Sequence, residues 1–153
     1  MAKAEHKQVA PVSREELFQT IVAYESYPKF LKDCSAVSVE RKGPGRARAK
    51  YEVELMGQKI TYTLDHEEDL SSGVVKWDLV ESNFFKINRG GWKLAEKGAA
   101  ACDAHYTLEV EFKVPVPGFI LNRMIKGALP EMVDGFVKQT VKRAKASAGS
   151  KST

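Results

Sequence analysis

Leu129-Pro-Glu-Met-Val-Asp-Gly-Phe-Val-Lys-Gln-Thr-Val-Lys-Arg-Ala-Lys145 is the stretch on which the fold turns. Leu129, Met132, Val133, Phe136, Val137, Thr140, Val141 and Ala144 recur at steps of three and one, which places them on one stripe of a helix. Lys138, Gln139, Lys142 and Arg143 fall on the opposite side. Pro130 is expected in the first turn, where a missing N–H costs nothing, with Glu131 and Asp134 near the positive end of the helix and Lys142, Arg143 and Lys145 near the negative end. At about 1.5 Å per residue such a helix runs about 25 Å, close to a strand of eight residues at about 3.3 Å each. Its apolar stripe has to be covered.

The preceding hundred or so residues supply the cover. Val37 and Val39 begin an alternating pattern, and Gly43-Pro44-Gly45 marks a turn. Ala47, Ala49, Tyr51, Val53 and Leu55 then alternate with Arg46, Arg48, Lys50, Glu52 and Glu54. Ile60, Tyr62 and Leu64 repeat the pattern before the polar run Asp65 to Asp69 and the turn Ser71-Ser72-Gly73, and Val75, Trp77 and Leu79 repeat it again. Phe85 and Ile87 form a further run, Gly90-Gly91 reads as a hairpin turn, and Trp92 and Leu94 as the return strand. Tyr106, Leu108, Val110, Phe112 and Val114 alternate most cleanly of all, against His105, Thr107, Glu109, Glu111 and Lys113. Short turns of this kind connect antiparallel strands, since parallel ones need long crossovers.

Ahead of the sheet, a strand is expected around His6 to Ala10. Ser13-Arg-Glu-Glu16 has the capping-box pattern in front of Leu17, Phe18, Ile21 and Val22 at helical spacing. Tyr27-Pro28 should end that helix, and Pro28 to Leu31 should start a second short helical turn. The fold class is α+β: a strand, two short helices, a long curved antiparallel sheet with one wet face, and a long C-terminal helix laid across the other.

The 153 residues, 43% of them hydrophobic, fit one domain, expected over residues 1–146 with a disordered basic tail at 147–153. Met1 to Pro11 lacks a signal-like apolar run and no window approaches the roughly 18 apolar residues of a membrane span, so a cytoplasmic protein is expected. Cys34 and Cys102 match no metal-ligand spacing and read as free thiols. Lys and Arg number 24 against 20 acids, an excess that permits an acidic partner without requiring one. No nucleophile elbow, zinc cluster or phosphate loop is present in the sequence, so no cofactor, metal or catalytic set is assigned.

Tyr24-Glu-Ser-Tyr-Pro-Lys-Phe-Leu31 resembles the segment after the first helix of START-like helix-grip proteins, and Leu79 to Leu94, with Phe-Phe-Lys and Gly-Gly-Trp-Lys-Leu, is similar to their mid-sheet hairpin. The resemblance spans roughly Glu5 to Ala144 and points to the polyketide cyclase/dehydrase and lipid-transport group, in particular its coenzyme-Q-binding and ribosome-association-toxin branch. It implies a deep cavity between sheet and long helix, used in that superfamily for lipids, quinones, sterols and polyketides and sometimes for catalysis; fold alone does not choose among these.

The expected ligand-binding set is Tyr51, Val53, Tyr62, Leu64, Trp77, Leu79, Phe85, Ile87, Arg89, Trp92, Tyr106, Leu108 and Val110 from the strands, with Phe119, Met124, Met132 and Phe136 from the C-terminal segments. His66 and Arg89 are the polar residues on inward parity, each able to meet a ligand carbonyl, hydroxyl or carboxylate or to reach solvent instead. Glu67-Glu68-Asp69 reads as a solvated loop. Val114 to Lys126 crowds Phe119, Ile120, Leu121, Met124 and Ile125 behind a Pro-Val-Pro-Gly hinge, as either a helical turn on the core or a lid whose Arg123 and Lys126 meet anionic headgroups. Arg41, Lys42, Arg46, Arg48 and Lys50 crowd one hairpin, as a solvated face or a contact for ribosomal RNA or anionic lipid. Three functions stay open: a non-enzymatic binder of a lipid or quinone, a cyclase/dehydrase-type enzyme using Tyr62, Tyr106, His66 or Arg89, and a ribosome-docking protein. A DNA partner is not expected.

Overall fold

The computed structural model describes residues 2–55, 57–98 and 100–151, with side chains up to residue 146. Strands β1 (Ala2–Ala10), β2 (Cys34–Gly43), β3 (Arg46–Leu55), β4 (Gln58–Asp69), β5 (Val74–Ser82), β6 (Phe85–Glu96) and β7 (Cys102–Phe112) are accompanied by helix α1 (Arg14–Val22) between β1 and β2 and by α2 (Gly118–Arg123) and α3 (Leu129–Lys151) after β7. The strands form one antiparallel sheet in the order β1-β7-β6-β5-β4-β3-β2. Short turns keep β2 to β7 as sequential neighbours, and β1 adds to the free side of β7, with Ala2 opposite Val110 and Ala10 opposite Cys102. This is the α+β helix-grip architecture: a curved sheet wrapped around a long C-terminal helix. Of the tail expected to be disordered over 147–153, residues 147–151 carry helical backbone as the end of α3, and residues 152–153 lie outside the described residues.

Local chemistry accounts for the entry into the fold. The Ser13 hydroxyl accepts from the Glu16 N–H at 3.1 Å and the Glu16 carboxylate accepts from the Ser13 N–H at 2.9 Å, so α1 opens on a complete capping box. The second short helix is a 3-10 helix over Tyr24–Lys29, which already contains Pro28 rather than starting at it. Three residues per turn brings Tyr24 and Tyr27 onto one side, 5.9 Å apart, both buried.

α3 lays Val133, Phe136, Val137 and Thr140 on the sheet and α1, all buried. Burying each large apolar side chain contributes about 1.5 to 3 kcal/mol, which is what fastens the helix to the sheet. The Thr140 hydroxyl donates to the Phe136 carbonyl at 2.8 Å and shares a hydrogen bond of 2.7 Å with the Thr20 hydroxyl of α1, tying the two helices together. Pro130 lies in the first turn of α3, as expected, but that turn is not a free helix end. Helical structure begins at Gly118, and a π-helical turn over Met124–Ala128, with Leu129 N–H bonded to the Met124 carbonyl, runs into α3. The wider turn accommodates a proline ring that would clash with the carbonyl four residues back in a regular helix.

Two sheet features depart from the sequence reading. Gly90 and Gly91 are not a hairpin turn; they lie inside β6, a single strand of 12 residues. A Cβ on Gly90 would stand 2.1 Å from the Thr107 carbonyl oxygen and 2.9 Å from the Trp77 ring, so the glycine is the gap into which Trp77 packs. Register against β7 also shifts between Phe85 and Ile87, and this bulge swaps the faces that follow. Asn88, Trp92 and Leu94 are therefore buried, whereas Arg89 is exposed. In addition β5 pairs with β6 only from Val74–Trp77 to Gly90–Lys93. Toward their turn the two strands part, and the turn is fastened instead to β4, through Ser82 Oγ on the Thr61 carbonyl at 2.8 Å, and to the chain after β7, through Lys113 N–H on the Phe84 carbonyl at 2.9 Å. Ile60, Phe84, Phe85 and Val110 form a small separate core there.

A candidate ligand cavity

Between the inward face of the sheet and α3 lies a cavity of about 510 Å³. All five tyrosines of the chain, Tyr24, Tyr27, Tyr51, Tyr62 and Tyr106, and both tryptophans, Trp77 and Trp92, stand on its wall. Their rings interlock: Tyr51 stacks on Tyr62 at 5.0 Å, Tyr27 meets Phe136 edge-on at 5.0 Å, Phe136 meets Trp92 at 5.1 Å, and Trp92 meets Tyr106 at 5.0 Å. Charged residues on the wall, including Lys3, Lys32, Asp33, Glu54, Glu131 and Lys138, are exposed and so mark the rim. Lys32 and Glu131 approach to 3.7 Å across it.

Of the residues expected to bind ligand, Tyr51, Val53, Tyr62, Leu64, Trp77, Phe85, Trp92, Tyr106, Leu108, Val110, Met124, Met132 and Phe136 line this cavity. Leu79, Ile87, Arg89 and Phe119 do not. Leu79 packs against the small core at the β5–β6 turn. Ile87 and Arg89 follow the β6 bulge, which turns Arg89 outward to Glu109 at 3.0 Å. Phe119 is 67% exposed on the outer side of α2. Tyr24, Tyr27 and Asn88 line the cavity although sequence parity did not select them. The i, i+3 spacing of the two tyrosines was the available signal for the first two, since a 3-10 turn stacks that spacing.

The polar groups divide into occupied and free. Tyr24 donates to Glu68 at 2.6 Å, and Glu68 accepts from Arg41 at 2.8 Å. Glu68 thus anchors the end of the cavity where Tyr24, Tyr51 and His66 are all but fully buried, its sealed end, rather than being part of a solvated loop, and its side chain is only 9% exposed. Tyr27 donates to the Ile21 carbonyl. Tyr51 shares a hydrogen bond of 2.7 Å with His66 Nε2, while His66 stacks on Tyr24 at 4.2 Å and its buried Nδ1 has no partner among the described residues. Burial holds the His66 pKa down at about 4, so the ring is neutral at pH 7. Trp77 donates to Asn88 at 3.1 Å. Tyr62 and Tyr106 line the cavity, their hydroxyls make no protein hydrogen bond among the described residues, and burial pushes both pKa values well up, keeping them neutral donors. Burial likewise raises the Cys34 thiol on the wall to about 11, so it is not a thiolate.

The result is an aromatic chamber with neutral hydrogen-bonding groups on its wall and charges at its rim. No group of His, Cys, Asp and Glu that could hold a metal occurs among the described residues, and no described helix is long and apolar enough to cross a membrane.

Known proteins share this frame. The fold is that of a START superfamily protein from Mycobacterium smegmatis, with a TM-score of 0.81 at 17% identity over 92% of this chain and 97% of that one. It is also that of the Zhui aromatase/cyclase from a Streptomyces species, with a TM-score of 0.83 at 12% identity over 95% and 97% of the two chains. In sequence the chain is 26% identical over 136 residues to the ribosome association toxin RatA of Escherichia coli, covering 89% of this chain and 85% of the toxin. The family model for polyketide cyclase/dehydrase and lipid transport matches residues 10–137, from the end of β1 into α3. With most of the chain matched and the helix-grip frame in place, this protein belongs to the START-like polyketide cyclase/dehydrase and lipid transport family.

Proposed function

We propose that this protein binds a hydrophobic small molecule of lipid or quinone type, an apolar body carrying one or two hydrogen-bond acceptors, inside the cavity between sheet and α3. One observation carries the reading: an apolar chamber of about 510 Å³ in which Tyr62 and Tyr106 offer hydroxyls that no described protein group uses. A chamber of this size falls in the range of roughly 300 to 1,000 Å³ typical of small-molecule sites. Its polar groups are neutral, which favours an uncharged ligand over a carboxylate. They also favour holding over acid–base chemistry, because a His66 pKa of about 4 makes it a weak base at pH 7 and its Nε2 is already bonded to Tyr51. We place the protein in the cytoplasm, where its two buried free cysteines would remain reduced.

The docking alternative draws on the name of the RatA relative and on the basic hairpin. Ion pairs weaken it: Arg41 meets Glu68 at 2.8 Å, Lys42 meets Glu40 at 2.9 Å, and Arg48 meets Asp65 at 2.7 Å. Arg46 and Lys50 are left without an acidic partner among the described residues. Native mass spectrometry of the purified protein tests the binding reading. A co-purifying uncharged hydrophobic molecule, lost when the chamber is obstructed, is the expected result. A chain that carries none and takes up none from a lipid extract refutes it.

A further inference from the structure

The segment between β7 and α3 has two faces of different character. Leu121, Met124, Ile125 and Ala128 line the cavity. Phe119, Asn122, Arg123 and Lys126, spaced three and four apart on the other side, are all exposed. Phe119 is the most exposed large hydrophobic residue described, and Val114, 48% exposed, lies just before the same helix. Neither α2 nor the π-helical turn buries any of its residues. From Lys113 to Pro130 the sequence holds three cations, Lys113, Arg123 and Lys126, and no acid. Arg123 and Lys126 have no ion-pair partner among the described residues, and Gly118 and Gly127 flank the segment with open space where a side chain would stand.

A single exposed apolar side chain is ordinary, but Val114 and Phe119 stand exposed within six residues beside two cations unpaired among the described residues, a grouping that marks a contact surface. Within the segment the charge is all of one sign, which favours an anionic surface, and the exposed apolar side chain beside it favours one with a hydrocarbon interior. We propose that the Lys113–Ala128 segment docks on an anionic lipid bilayer, with Phe119 and Val114 inserted below the headgroups and Arg123 and Lys126 held among them. The inference rests on the cavity reading for its purpose: the docked segment is itself a wall of the chamber, so an apolar ligand would pass between chamber and bilayer without crossing water. Its test needs no ligand.

The full chain is mixed with vesicles of phosphatidylcholine alone and of phosphatidylcholine with phosphatidylglycerol, and binding is read by co-sedimentation. Only the anionic vesicles should bind, more weakly as salt rises. Each charge near such a surface contributes about fivefold in affinity, so Arg123→Gln with Lys126→Gln should weaken binding about 25-fold. Phe119→Asp should weaken it at least as much, while the melting temperature and the uptake of N-phenyl-1-naphthylamine from solution stay at wild-type values, since Phe119 does not line the chamber. Absence of vesicle binding at low salt overturns the proposal, as does binding that neither variant alters. So does a wild-type dimer that Phe119→Asp makes monomeric with no binding to vesicles, which would mean that a second copy covers the patch. If the dye fails to bind while vesicle binding follows the variants, it is the cavity reading that fails and the docking surface that stands.

Discussion

The sealed end of the cavity and the α2 segment are built from similar residue types and hold them differently. At the sealed end Tyr24, Tyr27, Tyr51 and His66 are at most 8% exposed, and each of the three tyrosine hydroxyls is hydrogen-bonded, that of Tyr51 to His66 itself. In α2 and the π-helical turn no residue is buried. Aromatic rings locked by their neighbours make a floor whose shape is set before a ligand arrives. Apolar side chains that touch the chamber on one side and water on the other make a wall that can yield. On the proposed binding function, the first region would set the shape of the chamber around the Tyr62 and Tyr106 hydroxyls, and the second would let a ligand pass.

Two phenylalanines give the largest contrast. Phe136, 2% exposed, meets Tyr27, Phe30 and Trp92, all within 5.1 Å. Phe136→Ala should cost about 3 kcal/mol, at the low end for a phenylalanine truncation because one side already faces the chamber. Phe119→Ala should stay within about 0.5 kcal/mol. Equal losses in denaturant titrations would erase the distinction between the regions.

The pH dependence of stability isolates the sealed end. The folded pKa of His66 is lowered from 6.5 to about 4, so the unfolded chain binds a proton first as pH falls. Stability is therefore full above about pH 6.5 and is lost progressively down to about pH 4, by about 3 kcal/mol in all. Asp65 and Asp134, whose pKa values are lowered by Arg48 and Lys138 respectively, add losses only at lower pH. Replacing His66 with Gln should flatten the window between pH 6.5 and 4, and a wild-type profile that is already flat there would contradict the burial of a neutral imidazole.

Hydrogen exchange reads the other region. Amides from Val114 to Lys126 should open locally well before those of Tyr106 to Phe112, which are held in a ladder between β1 and β6. Equal protection of the two segments would leave passage without a yielding wall.

Much of this division was legible in the sequence, and the exceptions share a cause. The α3 stripe, β3 and β7 were readable because each buries one face, and a single face imprints its period on the chain. β6 was not readable as one strand. The reason Gly90 is glycine lies in Trp77 and Thr107, and the bulge that turns Arg89 outward exists only against β7. Glu68 looked like part of a solvated loop because its partners, Tyr24 and Arg41, come from distant segments. The turn holding Pro130 looked like a free helix end because nothing local announces the π-helical turn before it. For the site, alternation found Tyr51, Tyr62, Tyr106 and Leu108 on the wall, but it could not tell a free hydroxyl from an occupied one, which is a property of the assembled chamber.

The central claim is that the chamber, rather than the basic hairpin, is the working site. Titration with N-phenyl-1-naphthylamine, followed by fluorescence, tests it most directly on three chains that melt alike: wild type, Leu108→Trp, and Arg46→Glu with Arg48→Glu and Lys50→Glu. Leu108→Trp projects into the chamber and should weaken binding by about tenfold or more, a cost of at least about 1.4 kcal/mol, while the charge reversal leaves it unchanged. Undiminished binding by Leu108→Trp, together with loss on charge reversal, would contradict the account.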